Sequence, residues 1–300
     1  MGRMVVAGGT GLVGRSLVQT LVDRGAQVTV LTRQPDGLVL PGRAEAAGWD
    51  RLPAVLEGCE AVFNLAGEGI ADRRWTPARK AALRESRMQT TRRLVDAIGA
   101  CHQKPQVLVN ASAIGLYVPR GADPVDEASA PGTGFLAEVC RAWEAEAEAA
   151  RAYGVREVRI RIGVVLAREG GALPKMALPV RLFQGSALGT GQQGLSWIHL
   201  DDLVAMLVEA ARNPAWEGPF NGTAPGPLSQ LDFTRLLARR LRRPVLPLPA
   251  FLTAGALRLI MGELAEELLL GGAFVHPRRA LAQGFRFRFP EAAAALEDLL

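Results

Sequence analysis

The sequence predicts an α/β fold, a doubly wound parallel sheet joined to a smaller, partly interleaved C-terminal lobe. Three observations carry this expectation. Short strand-like runs alternate with helical stretches through the first half of the chain, those runs are too apolar to face water, and the texture shifts toward Gly and Pro after about residue 167.

The first run, MVVAG at 4–8, leads directly into GLVGRSLVQTLVDRG, a helical pattern that closes on a glycine. QVTVLT at 27–32 and AVFNLAG at 61–67 read as the next strands. The long helical stretch PARKAALRESRMQTTRRLVDAIGA separates them from a further strand, QVLVNAS at 106–112. FLAEVCRAWEAEAEAARAYG is the third helix, and REVRIRIGVVL at 156–166 reads as one strand behind it. Beyond that point GGALPKMALPV, GSALGTGQQG, TAPGPLSQ and RRPVLPLPAF are rich in turn-forming residues. We therefore expect a sheet domain over 1–166 and a second lobe over 167–300, with about 194–225 returning to the sheet through DDLVAMLVEAARN.

A chain of 300 residues is long enough for one enlarged domain, or a main domain with a lobe, around a sizeable core. Its 49% hydrophobic content is spread over short runs. None approaches the roughly 18 apolar residues of a membrane helix, so no membrane association is expected. RMVVAGG opens a strand at once, which leaves no room for a targeting segment, and the expected location is cytoplasmic. Cys59, Cys101 and Cys140 are odd in number and widely spaced, so neither a disulfide framework nor a metal site is indicated.

The net charge of +5 comes almost entirely from arginine, since only Lys80, Lys104 and Lys175 are lysines. The densest cluster, ARRLRRP at 238–244, closes a helical pattern, where cations favour the negative end of the helix dipole. No aromatic residues interleave with it as a stacking platform, so nucleic acid is not an expected partner.

Gly8, Gly11 and Gly14 form GxxGxxG directly between the first strand and the first helix, the context in which glycines let the backbone approach a pyrophosphate at a helix N-terminus. A tight turn without ligand is the plainer alternative. At the end of the second strand, where NAD-preferring folds place a carboxylate, this chain has Thr32 and then Arg33. A guanidinium suits a 2′-phosphate that a carboxylate would repel, so the expected cofactor is NADP(H) and the first domain an NADP(H)-binding Rossmann domain. The competing reading makes Arg33 a solvated loop residue.

GGTGLVG, NLAG at 64–67 and SAIGLY at 112–117 resemble the extended short-chain dehydrogenase/reductase superfamily. NLAGEGI, RRW, SRMQTTRRLVDAI, FLAEVCRAWE, RIGVVLAREGGALPKM, SWIHLDDLV, GPFNGTAPGP, LLLGGAFVHPRRALAQGF and the final FRFP narrow the resemblance to the epimerase family proteins, sugar-nucleotide epimerases in type, with a C-terminal domain of unknown function. The resemblance implies that Gly8, Thr10, Gly11, Leu12 and Val13 line the phosphates and that Thr32 and Arg33 hold the adenosine-phosphate end. Leu65, Ala66 and Gly67 would line the nicotinamide ribose by their backbone, and Ser112 with the backbone around Ile162 would flank the nicotinamide.

The superfamily's chemistry uses a tyrosine with a lysine four residues later, the lysine lowering the tyrosine's pKa. Here Gly121 follows Tyr117 at that spacing and Glu157 follows Tyr153, so the pair is absent. On the corresponding helix Phe135, Val139 and Trp143 share one face, a packing surface or pocket wall with no practical acid. The superfamily's helper asparagine falls near Ser86 or Arg87. Aligning on Tyr117 puts Ala113 at the helper serine's place, with Ser112 one residue off.

The remaining candidates for a proton relay are Ser112, Lys175 in the segment resembling the substrate loop, and His199 in SWIHLDD, where Asp201 reads as a helix N-cap. Cys140 reads as a buried hydrophobe, and Glu138 and Glu144 as solvated or salt-bridged faces. Arg73, Arg74 and Trp75 are either an anion site or a surface loop. Two functions are then expected: an NADP(H)-dependent oxidoreductase or epimerase acting on a small polar substrate, or a non-catalytic NADP(H)-binding regulator of a protein partner, as with family members described as cell-division factors. A homodimer is compatible with either.

Overall fold

The computed structural model describes residues 2–300. In the first half the elements are β1 (Arg3–Ala7), α1 (Leu12–Asp23), β2 (Gln27–Leu31), β3 (Glu45–Ala47), α2 (Leu52–Leu56), β4 (Ala61–Asn64), α3 (Pro77–Ala100), β5 (Val107–Ala113), β6 (Pro124–Val125), α4 (Phe135–Glu148) and β7 (Arg156–Ile162). There follow β8 (Val164–Leu166), α5 (Leu173–Arg181), β9 (Gly194–Leu195), β10 (Trp197–His199), α6 (Leu200–Arg212), β11 (Gly218–Gly222), β12 (Leu228–Ser229) and α7 (Gln230–Leu241). The chain closes with α8 (Ala250–Met261), α9 (Glu263–Ala265), β13 (Phe274–Val275), α10 (Arg278–Ala282) and α11 (Ala292–Leu299).

Seven strands form one sheet in the order β11-β7-β5-β4-β1-β2-β3, and every neighbouring pair is parallel. Parallel strands need crossovers, and the crossover helices cover both faces. Leu17, Val18 and Leu21 of α1 pack with Leu203, Met206 and Leu207 of α6 on one side. Leu52 and Leu56 of α2 and Leu94, Val95 and Ile98 of α3 pack on the other. The winding reverses beside β1, so a crevice opens at the carboxyl ends of β1 and β4, where ligands of such sheets bind.

Helix α3 spans the stretch its sequence indicated. Thr76 starts it by accepting the Arg79 N–H at 3.1 Å, with Pro77 in the first turn where its missing N–H costs nothing.

Two expectations about elements need correction. The run at 156–166 is not one strand: Gly163 ends β7 by donating its N–H to Gly222 O at 2.9 Å, and β8 beyond it pairs with β10 in a separate two-stranded sheet. A Cβ at Gly163 would stand 2.8 Å from Ser196 O, so only glycine passes between the two sheets. The third helix stops at Glu148, and its last turn is a 3-10 turn, Ala149–Tyr153, closed by Gly154 at φ +75°. Strand β3, Glu-Ala-Ala, carries too little apolar pattern to be recognised and was not expected.

The second lobe has its own core, in which Leu173 and Val180 of α5 meet Phe233 and Leu237 of α7, Leu296 of α11 and Trp197. It also reaches back to the first half. Helix α4 begins after Gly134, which has no side chain to cap it, and Glu267 accepts the N–H of Phe135 at 2.9 Å and of Leu136 at 2.8 Å instead. Among the described residues no helix is long and apolar enough to cross a membrane.

Candidate functional site

The crevice at the carboxyl edge is built first by the glycine turn after β1. Gly8 sits at φ +81°, and a Cβ there would lie 2.6 Å from the backbone carbon of Leu65, so the loops after β1 and β4 touch through this glycine. A Cβ on Gly14 would overlap the carbonyl oxygen of Gly8. Gly11 differs, because its nearest neighbour would be Gly8 O at 3.6 Å, an ordinary contact. Among the described residues, nothing else would come within 4 Å of that Cβ, so the space before Gly11 is open.

Helix α1 opens at that space with no side-chain cap and no acidic residue in its first turn. Thr10 and Gly11 are exposed and Leu12 and Val13 half-buried, so the positive helix end and its free N–H groups face the crevice. A pyrophosphate fits these features: it needs close backbone approach, unsatisfied donors and no competing carboxylate.

At the β2 end, Thr32 is half-buried and its Oγ1 accepts the Gln34 N–H at 3.3 Å. Arg33 is exposed and, among the described residues, takes part in no ion pair. On the β4 side Leu65 and Ala66 are half-buried and Gly67 exposed. Their loop is anchored by buried Asn64, which donates to Thr91 Oγ1 at 2.8 Å and Asn110 Oδ1 at 2.6 Å and accepts the Ala66 N–H at 3.3 Å. Ile162, half-buried, ends β7 on the far side of this opening.

Ser112 is only 2% exposed, and its hydroxyl donates to Glu144 Oε1 at 2.7 Å. Glu144, read from the sequence as either solvated or salt-bridged, takes the second of those forms. It is buried on α4 and held by Arg161 through two bonds of 2.8 Å, Nε to Oε1 and Nη2 to Oε2. Burial opposes the charge on Arg161, but the bonds to Glu144 outweigh it and hold the guanidinium's pKa above its usual value. Arg161 Nη1 also donates to the Tyr117 hydroxyl at 2.6 Å, and that hydroxyl donates to Asn221 Oδ1 at 2.8 Å. Burial pushes the Tyr117 pKa up to about 12, so this tyrosine stays a neutral strut. The network ties β5, α4, β7 and β11 together below the crevice.

The signal for it was present in REVRIRI. Glu157, Arg159 and Arg161 alternate onto one face of a strand that must be buried on both faces, a pattern that demands buried carboxylate partners.

On α4, Val139 and Trp143 are buried and Phe135 half-buried, its ring edge-to-face with Trp75 at 5.0 Å. Trp143 spends its N–H on Thr91 Oγ1 at 3.0 Å. Cys140 is buried, its thiol 3.6 Å from Ala113 O, and burial pushes its pKa up to about 12. It is a hydrophobe rather than a nucleophile. Glu138 faces solvent.

Ser112, Lys175 and His199 are not assembled into a relay, since no hydrogen bond or ion pair joins any two of them. Lys175 is exposed in the first turn of α5. His199 is buried in a different corner, stacked on Phe289 at 4.0 Å, with Nε2 3.4 Å from an Asp298 carboxylate oxygen. His199, and not Asp201, is the N-cap of α6: its Nδ1 accepts the Asp201 N–H at 3.1 Å. Asp201 sits inside the first turn and pairs with Arg288 Nη1 at 3.2 Å. Arg73 and Arg74 are exposed, and Arg74 Nη1 reaches Leu259 O at 3.4 Å, while Trp75 is buried.

Comparison with known proteins agrees with this architecture. Residues 4–221 match the NAD dependent epimerase/dehydratase family, and residues 252–299 match a domain of unknown function (DUF1731). The epimerase family protein SDR39U1 homolog, chloroplastic, of Arabidopsis thaliana is 40% identical over 307 residues, covering 98% of this chain and 86% of that protein. The crystal structure of human epimerase family protein SDR39U1 (isoform 2) with NADPH superposes with a TM-score of 0.89 at 36% identity, covering 99% of this chain and 98% of that one. A nucleoside-diphosphate sugar epimerase from Corynebacterium glutamicum gives a TM-score of 0.78 at 32% identity, covering 98% of this chain and 57% of that one.

Proposed function

Because the chain belongs to the NAD dependent epimerase/dehydratase family, we propose that it binds NADP(H) in the crevice at β1 and β4 and exchanges hydride with a small polar substrate, in a site that does without the Tyr–Lys pair. The observation that carries this is the crevice itself: open space before Gly11, an uncapped and acid-free α1 N-terminus, and Arg33 with no carboxylate partner. The human relative crystallised with NADPH supports the same choice of cofactor.

The bound cofactor supplies or accepts the hydride. The chain's own residues do the rest. The N–H groups of Leu12 and Val13 would hold the pyrophosphate, Thr32 and Arg33 the 2′-phosphate, and the backbone of Leu65–Gly67 and Ile162 the inner end. Phe135, Val139 and Trp143 share the apolar wall that α4 presents in place of the Tyr–Lys pair. That wall holds no proton, and the Ser112 hydroxyl is already committed to Glu144. The accompanying proton therefore moves from solvent. We place the protein in a reducing compartment such as the cytoplasm, consistent with three free, buried thiols.

Fluorescence titration with NADPH and NADH tests the reading. Wild-type protein should bind NADPH more tightly, and Arg33→Gln should lose about tenfold in NADPH affinity with little change for NADH, as expected for one charge-assisted contact at an exposed site. Equal affinity for both coenzymes, or none for either, would overturn it. A second reading, an NADP(H)-gated regulator, is favoured by the proton-free wall and by the cap that Glu267 lends to α4. It requires partner capture that differs between NADPH-loaded and cofactor-free protein.

A further inference from the structure

We propose that Arg87 is the receptor for an oxyanion on the substrate, a terminal carboxylate or phosphate held beside the inner end of the cofactor crevice. This rests on the reading of that crevice as an NADP(H) site and adds the substrate's chemical class.

Arg87 stands on α3, half-buried, with its guanidinium against Gly67: a Cβ on that glycine would lie 3.3 Å from Arg87 Cζ. Its plane is fixed from two sides by backbone, Nη1 donating to Leu83 O at 2.9 Å and Nη2 to Glu68 O at 3.0 Å. The ring of Trp143 lies beneath it, with Cζ 5.2 Å from the centroid. Among the described residues its remaining N–H groups have no acceptor and its charge has no carboxylate partner. The acids nearby are committed elsewhere. Glu68, whose backbone Arg87 grips, pairs its carboxylate with Arg79, and Glu144 is saturated by Arg161 and Ser112. Lys80, on the same helix, is paired with Glu263 at 2.7 Å.

A half-buried guanidinium without a salt-bridge partner is ready to accept a counter-ion. Burial lowers the Arg87 pKa from its usual value and outweighs the more distant Glu68 charge. Beside the guanidinium stand the buried thiol of Cys140 and the ring of Trp143. A single anion reaching this half-buried site meets a preorganised planar fork, the arrangement in which arginine grips carboxylate or phosphate with two parallel bonds.

The cofactor's own phosphates do not account for it. The glycine turn and Arg33 follow β1 and β2, whereas Arg87 lies on the β4 side of β1 in the strand order. The anion assigned to Arg87 is accordingly one carried by the substrate, an assignment that the NADPH titration below tests.

Malonate and inorganic phosphate serve as probes, titrated calorimetrically into NADP+-loaded protein. Saturable binding is expected for at least one, weakened about tenfold or more in Arg87→Gln and partly retained in Arg87→Lys. Malonate alone would assign a carboxylate and phosphate alone a phosphate ester. Binding of neither, or binding that is unchanged in Arg87→Gln, overturns the proposal. NADPH titration of the same variant separates the two readings. Retained coenzyme affinity is expected, its loss in Arg87→Gln alone would assign Arg87 to the cofactor and overturn the proposal, and its absence in wild type would sink the coenzyme reading instead. Should Arg87→Gln fail to fold, phenylglyoxal labelling of the wild type takes its place. The peptide carrying Arg87 should be protected by whichever probe binds, and equal labelling with and without it overturns the proposal.

Discussion

Raising the pH from about 5 to about 8 should strip stability from this protein through one side chain, Glu157, and replacing it by Gln should remove that dependence. Glu157 lies on β7 with 0% exposure. Arg159 Nε stands 2.9 Å from one carboxylate oxygen and Arg151 Nε 3.5 Å from the other. Arg159 also serves Glu144 at 3.6 Å and Glu148 at 3.4 Å, so it is shared among several acids. Burial therefore outweighs both cations and pushes the Glu157 pKa up from 4.5 to about 7. Between those values the folded protein binds a proton that the unfolded chain has released. The resulting stabilisation is fully present below about pH 4.5 and lost as the pH rises through about 7. At roughly 1.4 kcal/mol per unit the shift amounts to about 3 kcal/mol, most of it falling within the window proposed. Urea unfolding of wild type and Glu157→Gln at four pH values across that window measures it. The wild type should lose about 2 to 3 kcal/mol relative to the variant from the acid end to the alkaline end, and parallel curves would refute the reasoning.

The glycine turn offers a paired test. Gly14→Ala places a methyl group on Gly8 O and should cost about 1 to 3 kcal/mol in thermal or urea melts. Gly11→Ala has room, so it should fold with near wild-type stability while NADPH affinity falls by about tenfold or more in a fluorescence titration. Glu267→Ala removes the borrowed cap of α4 and should cost about 1 kcal/mol in a melt, although the residue lies 132 positions away in sequence. Glu144→Ala leaves Arg161 buried without its carboxylate and should cost about 3 to 5 kcal/mol, read as loss of soluble protein or a large drop in midpoint, with Glu144→Gln milder.

Much of the scaffold was legible because parallel strands and their crossover helices repeat a simple apolar rhythm. The strands around Val5, Val30, Val62 and Leu108 carry that rhythm without interruption, while the long helix from Pro77 to Ala100 buries mainly its second half, through Thr91, Leu94, Val95, Ala97 and Ile98. The rhythm says less where a strand's neighbour is remote. Gly163 breaks β7 from β8 because of Ser196 and Gly222, residues that no local pattern around position 163 contains. The glycine turn could be read since its demands are local, while for Glu144 the choice between a solvated and a salt-bridged face stayed open because its partners Arg161 and Ser112 stand on other elements. His199 took the capping place assigned to Asp201 by a shift of two residues, which local composition does not resolve. Arg87 was marked only as falling near the superfamily's helper asparagine, because its own distinction lies in what is missing around it.

The division of β7 from β8 at Gly163 bears on the order in which the protein is made. A nascent chain that has emerged as far as the end of β7 presents that strand as a raw edge, and the sheet is sealed only when Gly218–Gly222 arrives to pair with it. Until then the three carbonyls gripped by Arg156, those of Ala210, Ala211 and Trp216, do not yet exist for it to bind. Synthesis thus leaves an adhesive border exposed for about 60 residues of translation, a matter of seconds at ribosomal speed. Fragments cut at the apparent boundary between lobes would hold that border open permanently.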